Sequence, residues 1–168
     1  MNLRSLQRFF SLAVLGLVLA SPVGSAHAAF LNIPANSMTL VEGTSGLSVN
    51  SGLLDANGNS GVYTAPVHIP AGQLVCRLIL AARDNDMPFG ITARLYRKIL
   101  AAASGFGAAP DLMGQIASSS GVDSIRFFTD RTIGNRVIAA NYIYWVELEF
   151  VGGFYQALAI RVEYKSTC

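Results

Sequence analysis

Charged side chains are scarce in this sequence. Asp, Glu, Lys and Arg make up 13% of its 168 residues, against about 25% in typical soluble domains. Two of the 12 basic residues, Arg4 and Arg8, lie in an N-terminal segment that we expect to be cleaved off, which leaves equal numbers of basic and acidic residues. A mature chain without net positive charge has no electrostatic basis for binding nucleic acid. Low charge also suits a partner protein or a homo-oligomer, because little repulsion keeps molecules apart, and a thick β core under a Ser/Asn/Gly surface is the alternative explanation.

Histidine is almost absent. One of the two histidines, His27, belongs to the same N-terminal segment, so His68 is the only one left in the mature chain. A single histidine cannot build a His-rich zinc site. A Ser-His-Asp triad would need His68 as its base, and no G-x-S-x-G turn accompanies it. We therefore interpret His68 as an ordinary residue of an edge strand, and no phosphate-binding glycine loop supports a nucleotide cofactor.

The sequence contains only two cysteines, Cys76 in a predicted strand and Cys168 at its last position. In an exported protein such a pair most simply forms one disulfide. The bridge would close a loop of about 90 residues, worth about 4 kcal/mol in the loop-entropy model. It would also hold Cys168 beside the strand that contains Cys76. Two free thiols, or a bridge from Cys168 to another chain, are the alternatives.

The first 28 residues have the parts of a secretory signal peptide. Arg4 and Arg8 precede the apolar run 9–20, and Ala26-His27-Ala28 supplies the small residues of a cleavage site. The apolar run is about a dozen residues long, shorter than the roughly 20 that span a bilayer. An uncleaved anchor helix is the alternative. We expect an exported protein, periplasmic or extracellular, whose mature chain begins near Ala29 and has no transmembrane segment.

The longest alternating pattern lies near the end of the chain. It predicts two strands, Tyr142–Phe150 and Tyr155–Tyr164, joined into a hairpin at Gly152-Gly153. Alternation with one apolar face is typical of a sheet with one buried side. The residues expected to face the core are Tyr142, Tyr144, Val146, Leu148 and Phe150 in the first strand and Leu158, Ile160, Val162 and Tyr164 in the second.

Strand patterns outnumber helical ones along the rest of the mature chain. Leu74–Ala82 and Phe89–Arg97 are further predicted strands, and turn residues separate the strands. This pattern predicts an all-β chain, a single antiparallel β-sandwich of jelly-roll-like type. We divide the sequence into the signal peptide 1–28, a Ser/Asn/Gly-rich segment 29–60 and the sandwich domain 61–168. The segment 29–60 forms either edge strands or an arm that adds a strand to a neighbouring molecule.

Carboxylates occur in two places where they suggest chemistry. Asp84 and Asp86 flank an asparagine and offer oxygen ligands for Ca²⁺, although the same residues suit a plain turn. Glu147 and Glu149 share one strand face, where a glycosidase would carry its pair of carboxyl groups. We favour a cross-strand ladder between these glutamates and the arginines of neighbouring strands. The arginines in question are Arg77, Arg94 and Arg161.

Aromatic residues provide the clearest candidate for a binding surface. Trp145 shares the outward strand face with Glu147 and Glu149, and Tyr96 and Tyr155 are further candidates. Together they would form an exposed platform of the kind that stacks on sugars or contacts proteins. Burial of Trp145 beneath the N-terminal segment is the alternative.

Several consecutive motifs resemble a group of secreted bacterial β-sandwich proteins of unassigned function. The matching parts are the P-x-G turn in Ile69-Pro70-Ala71-Gly72, the apolar strand after it, the D-N-D-like turn at 84–86, the strand Ile91–Arg97 and the final strand Arg161–Tyr164. The resemblance covers about 61–164 and implies a β-sandwich. It implies no catalytic residue, and it includes neither the segment before Gly61 nor the two cysteines.

These observations lead to one main functional expectation and two alternatives. The main expectation is an exported, non-enzymatic structural or accessory subunit that acts through protein contacts, either with itself or within a larger envelope or extracellular assembly. The first alternative is a monomeric module that binds carbohydrate or protein with Trp145. A hydrolase that uses carboxylates is the more distant alternative. No cofactor is expected, apart from the calcium suggested for Asp84 and Asp86.

Overall fold

A computed structural model describes residues 28–43, 48–50, 52–85, 90–100, 109–118 and 121–168. In these ranges the chain forms a short 3-10 turn at Ala35–Ser37 and eleven β-strands. The strands are β1 (Ala29–Pro34), β2 (Thr39–Gly43), β3 (Ser48–Asn50), β4 (Leu53–Asp55), β5 (Gly61–Pro66), β6 (Leu74–Asp84), β7 (Ile91–Ile99), β8 (Asp111–Ala117), β9 (Val122–Asp130), β10 (Tyr142–Phe150) and β11 (Tyr155–Lys165). No helix in the described ranges is long and apolar enough to cross a membrane. Residues 1–27, which hold most of the predicted signal peptide, lie outside these ranges.

The strands form two antiparallel sheets. The first sheet has the order β3-β4-β11-β6-β9, with β1 also paired to β11, and the second has the order β2-β5-β10-β7-β8. The pairs β7–β8, β6–β9, β5–β10 and β4–β11 are nested around one another along the chain. This nesting is what results when a long double strand is rolled up into two sheets, which is the jelly-roll arrangement. The predicted antiparallel β-sandwich is therefore confirmed.

The predicted final hairpin is wrong. Tyr142–Phe150 belongs to the second sheet and Tyr155–Lys165 to the first, so the turn at Gly152-Gly153 crosses from one sheet to the other. Both strands do have one buried face, and these faces meet across the core. Alternation shows that a strand has a buried side, but it does not show whether two such sides lie next to each other or opposite each other.

The core lies between the two sheets and consists of aliphatic and aromatic side chains. Fully buried members are Leu78, Leu80, Ile91, Leu95, Val146, Leu148, Phe150, Tyr155, Ile160 and Val162. At about 25 cal/mol for each Å² of apolar surface removed from water, such burial is the main force that holds the sheets together.

Two irregularities in the pairing of β11 with β6 change which residues face this core. The register shifts between Ala157 and Ala159, so Leu158 is left at the irregularity and Tyr155 becomes an inward residue. A second shift, between Glu163 and Tyr164, makes Val75 the inward residue near the start of β6. Each shift adds one residue to one strand and so reverses the inward and outward positions beyond it.

The described strands of segment 29–60 pair within this same chain. β1 pairs with β11 from Ala29 opposite Tyr164 to Pro34 opposite Ala159. β4 continues along the same edge of β11, and β2 pairs with β5 in the second sheet. In this structure the segment thus contributes strands to both sheets.

Cys76 and Cys168 are joined in a disulfide, with their Cα atoms 5.6 Å apart and a sequence separation of 92. The bond attaches the end of the chain beyond β11 to the beginning of β6. β6 and β11 are the two central strands of the first sheet, so the disulfide links neighbouring strands covalently at one end of that sheet.

Candidate functional site

An aromatic row crosses the outer face of the second sheet. In the strand register, Trp145 of β10 lies opposite Pro66 of β5 on one side and Tyr96 of β7 on the other, and Tyr96 lies opposite Leu112 of β8. Opposed residues of antiparallel strands share a face, so the four side chains form one continuous row. The rings of Tyr96 and Trp145 are stacked, with centroids 5.4 Å apart and planes 21° from parallel. The row thus has an aromatic pair at its centre.

A polar network lies beside the aromatic pair on the same face. The Arg94 guanidinium donates to Glu147 at 2.9 Å through Nη1 and to Gln115 at 3.3 Å through Nε, and its Nη1 lies 2.7 Å from Glu149. The side chains of Arg94 and Glu147 are each 22% exposed and that of Glu149 is 30% exposed. The cross-strand ladder expected for the two glutamates therefore exists, with Arg94 as its cation. Arg77 and Arg161 lie on the other sheet and do not take part.

The network changes the pKa values of Arg94, which belongs to it, and of Tyr96, which lies beside it. Burial acts to lower the pKa of Arg94, but hydrogen bonds to Glu149 and Glu147 outweigh it and raise that pKa. Burial, followed by the negative charge of Glu147, raises the pKa of Tyr96. Arg94 therefore stays charged and is occupied by two carboxylates, so it is not available to a negatively charged ligand.

A second arginine of β7, Arg97, lies on the opposite face of the sheet, where the register places it beside Tyr144. The Arg97 Nε donates to Asp111 at 3.0 Å, and its guanidinium carbon lies 4.5 Å from the centre of the Tyr142 ring. Both interactions hold Arg97 on the inner side of the second sheet, away from the aromatic row.

The aromatic row opens into a groove of about 980 Å³ at one end of the second sheet. Its walls are mostly apolar: Val41 is 65% exposed and Ile143 is 46% exposed. His68 lies two residues beyond the end of β5, is exposed and lines the same groove. The groove is of the size that takes drug-sized or oligomeric ligands in other proteins.

A buried hydroxyl fixes the wall of the groove opposite β5. The Tyr144 hydroxyl accepts from the Ala139 amide at 2.8 Å and lies 3.4 Å from the Ala139 carbonyl oxygen, to which it can donate. Ala139 and Tyr144 both line the groove, and the side chain of Tyr144 is buried. The loop is therefore held by a residue of the same strand that carries Trp145, which keeps the wall and the aromatic pair in a constant relation.

The remaining candidate for the platform, Tyr155, is misplaced in the sequence interpretation. Its side chain is 0% exposed, in the core. The register shift at Leu158 explains the error, because residues 155 and 157 face inward before it and residues 160 and 162 face inward after it. Of the three candidates, Trp145 and Tyr96 lie together on the outer face of the second sheet.

Asp84, one of the two suggested calcium ligands, is fully buried between the sheets. Its Oδ2 accepts from the Ser118 hydroxyl at 2.5 Å, and the Ser118 oxygen in turn accepts from the Ile91 amide at 2.8 Å. This chain of bonds connects β6 of the first sheet to strands of the second. Asp86 lies outside the described residues, so calcium at Asp84 and Asp86 stays a prediction. Within the described ranges, no three His, Cys, Asp or Glu side chains are grouped as metal ligands would be.

Sequence reasoning missed three parts of the site. Pro66 and Leu112 extend the aromatic row, and Ala139 forms a wall of the groove, but none of them has a side chain that suggests binding. Their roles depend on register, and the register of β8 shifts beside Gly114. One signal in the sequence was Pro66, because proline is confined to sheet edges and strand ends and so marks the end of β5, where the groove begins.

The chain matches no family model and no curated protein. Among solved structures it is similar to a low-affinity xylan-binding module, CBM86, from Roseburia intestinalis (TM-score 0.46, 13% identity, 83% of this chain and 97% of that one). It is also similar to the C-terminal CBM6 of the laminarinase LamC from Zobellia galactanivorans (TM-score 0.47, 17% identity, 80% and 98%). A third similar structure is the CBM36-1 domain of a xylanase from the hindgut metagenome of Trinervitermes trinervoides (TM-score 0.48, 17% identity, 80% and 96%). At these TM-scores and identities, none of the three assigns a ligand or a binding residue to this chain.

Proposed function

We propose that this chain is a non-enzymatic binding module that holds an uncharged polysaccharide on the outer face of its second sheet. The observation that carries the proposal is the stacked pair of Trp145 and Tyr96 on that face, beside an open groove. A sugar ring has C–H bonds on its faces and hydroxyls around its rim. The electron-rich faces of aromatic rings attract such C–H bonds, while polar neighbours bind the hydroxyls.

The charge around the pair favours an uncharged ligand. Arg94 is paired with two glutamates, so it is not free to neutralise an acidic sugar, and this network carries one negative charge in excess. The carboxylate oxygens of the network retain lone pairs and can still accept from hydroxyl groups. A neutral glycan would therefore lose little by desolvation and gain hydrogen bonds along the rim of the row.

The same network argues for binding without hydrolysis. A glycosidase needs one carboxyl group that gives a proton to the glycosidic oxygen and a second that acts as base or nucleophile. Here Glu147 and Glu149 share the single guanidinium of Arg94. We assign both of them to the support of the aromatic pair and neither of them to catalysis.

Export is part of the proposal. Structural disulfides form and persist in oxidising compartments, and Cys76 and Cys168 are paired in the structure. An exported protein would encounter the polysaccharides of cell walls and plant debris in those same compartments. Mass spectrometry of the protein secreted by the cells that make it tests this point, and a mature N-terminus at Ala29 is the expected result.

Binding to polysaccharides tests the function directly. The oxidised protein is mixed with insoluble cellulose, xylan, chitin and β-1,3-glucan, and the protein left in solution is measured. We expect depletion by at least one of them, and a loss of about tenfold or more in affinity for Trp145→Ala, since tenfold corresponds to about 1.4 kcal/mol. Phe127→Ala is the matched control, because Phe127 is an exposed aromatic residue on the outer face of the other sheet. Equal losses in the two variants, or no depletion by any polymer, would reject the proposal.

A protein partner is the second candidate, and the exposed aliphatic side chains of Val41 and Ile143 in the groove favour it. This is the structural or accessory subunit that the composition suggests. Light scattering on a sizing column distinguishes the two. A glycan-binding module is expected to be a monomer, whereas a discrete oligomer that Ile143→Ser dissociates would favour self-association through the groove.

A further inference from the structure

A small polar pocket of about 250 Å³ lies at the opposite end of the sandwich from the groove, and the proposed function leaves it unexplained. It is formed on the outer face of the first sheet, where Asp55 of β4, Gln156 of β11 and Arg83 of β6 lie opposite one another in the register. The exposed residues Asn57, Asn85 and Phe154 complete it. Three strands and three loops thus meet at one point.

The polar side chains on the floor of this pocket are held in fixed orientations. The Gln156 side-chain nitrogen donates to Asp55 Oδ2 at 2.9 Å, and the Gln156 side-chain oxygen accepts from Arg83 Nη1 at 3.1 Å. The carboxylate can only accept and the guanidinium can only donate, so the side-chain amide of Gln156 has a single possible orientation. The other oxygen of Asp55 accepts from the backbone amide of Asn57 at 3.1 Å. A floor that is ordered before binding loses little entropy when a ligand arrives.

Phe154 is presented to solvent by a loop that is fixed in position. The Phe154 side chain is 62% exposed. The loop before it is bound to the neighbouring turn through the Gly152 amide, which donates to Ser60 Oγ at 2.9 Å, and through the Gly153 carbonyl, which accepts from the Gly58 amide at 2.8 Å. Gly153 has φ of 112°, and a Cβ atom there would lie 2.5 Å from the Tyr155 ring. The loop is thus built around a glycine that places an aromatic ring at the rim of a polar pocket.

From this arrangement we infer a second binding site, which takes one uncharged sugar ring, such as the end of a chain. The ring of Phe154 offers a face for the C–H bonds of the sugar. The amides of Asn57 and Asn85, which make no side-chain hydrogen bond within the described residues, offer donors and acceptors for its hydroxyls.

Size and charge define the class of ligand. The pocket is smaller than the roughly 300–1,000 Å³ of typical ligand sites, so it suits a single ring rather than a chain. Arg83 is paired with Asp123, and Asp55 adds a second carboxylate, which leaves the site with one negative charge in excess. A phosphate or an acidic sugar would be repelled there, and a neutral ring would not.

Nuclear magnetic resonance tests this site apart from the aromatic row. The full mature chain is titrated with glucose, galactose, mannose, xylose and N-acetylglucosamine, one at a time, while the side-chain amide signals of Gln156, Asn57 and Asn85 are followed. We expect at least one sugar to shift these signals in a saturable way. Phe154→Ala should lower the affinity for that sugar by about tenfold. Trp145→Ala should leave this affinity unchanged.

Each result decides the inference. If none of the five sugars moves the three amides, or if the shifts persist in Phe154→Ala, the second site does not exist. Phe127→Ala removes another exposed aromatic side chain, on the outer face of the first sheet, and is the control for loss of an aromatic side chain. The amide spectrum itself reports whether each variant is folded. The two sites fail separately, because polysaccharide depletion depends on Trp145 and the amide shifts depend on Phe154.

Discussion

The outer faces of the two sheets carry the same kind of ion pair at different depths. On the first sheet, Glu163 is paired with Arg77, and its side chain is only 4% exposed. Lys165 lies 3.9 Å away from the same carboxylate. On the second sheet, Arg94 and its two glutamates remain 22–30% exposed beside the aromatic pair. The first pair is part of the packed structure, whereas the second forms a polar support next to an accessible surface.

This difference follows from what lies beside each ion pair. β1 lies along β11 and places Phe30 opposite Glu163, and the guanidinium of Arg161 lies 5.3 Å from the Phe30 ring. On the second sheet β5 lies beside β10 in the same way, but β5 ends at Pro66, opposite Trp145. Phe30 therefore shields the Glu163 pair, whereas the outer face of the second sheet is left open beside Trp145. We expect changes at the Glu163 pair to affect stability and changes beside Trp145 to affect binding.

The largest effect should come from removing the disulfide. The double substitution Cys76→Ser, Cys168→Ser opens a loop with a separation of 92 residues. In the loop-entropy model this lowers the free energy of unfolding by about 4–5 kcal/mol. Urea unfolding of the two proteins measures the difference. Polysaccharide binding below the unfolding transition should not change, and a loss of binding there would show that the two faces are not independent.

The next effect compares a glutamate from each face. Glu163→Gln removes a buried charge from its partner and should lower the free energy of unfolding by about 2 kcal/mol. Glu147→Gln should cost only about 0.5 kcal/mol, because Arg94 keeps Glu149 and the side chains are better hydrated. Thermal or urea unfolding of both variants measures this ratio. Similar costs for the two would mean that depth of burial does not distinguish the faces.

The open face was largely predictable from sequence, because it depends on one regular strand. In β10 the alternation is unbroken, so the inward positions of Tyr144, Val146, Leu148 and Phe150 and the outward position of Trp145 follow from it. Tyr96 was found in the same way on β7. That these two rings stack could not be predicted, since it requires the register between strands that are more than forty residues apart in sequence.

The first sheet was predicted less well, because the pairing of β11 with β6 is irregular. An extra residue at Leu158 reverses the alternation of β11 and one at Cys76 reverses that of β6, and neither leaves a mark in the pattern of apolar residues. Tyr155 was placed outside for this reason. The crossing of the chain between sheets at Gly152-Gly153 was missed because glycines suit a crossing turn as well as a hairpin.

A smaller effect should come from Asp130, which joins the edges of the two sheets. Asp130 lies on β9, and its carboxylate accepts from the Gln115 amide of β8 at 3.1 Å and from the Thr132 amide and hydroxyl at 2.7 and 2.6 Å. Burial acts to raise the pKa of Asp130, but these hydrogen bonds outweigh it and lower the pKa below its usual value. A lowered pKa stabilises the fold at neutral pH, and this contribution disappears as the pH falls through the folded-state pKa.

Asp130→Asn should therefore cost about 1 kcal/mol at neutral pH and progressively less in acid. Urea unfolding of the wild type and the variant over a series of pH values measures this convergence. A difference that stays constant down to the most acidic point would show that the charge of Asp130 is not what holds the two edges together.

The smallest effect concerns the phenol of Tyr96, and it reports on the open face itself. Burial and the charge of Glu147 both raise the pKa of Tyr96, so its neutral form is favoured in the folded protein. Its contribution to stability is present below the ordinary tyrosine pKa and is lost as the pH rises through the raised value. The difference between the ultraviolet titrations of the wild type and of Tyr96→Phe isolates this group, because the buried phenol of Tyr63, whose pKa is also raised, is common to both.

Glu147→Gln should lower the Tyr96 pKa only in part, since burial remains. A bound oligosaccharide should raise the Tyr96 pKa further, because it excludes water from the ring. A Tyr96 pKa that does not respond to a saturating oligosaccharide would place the ligand away from the aromatic pair.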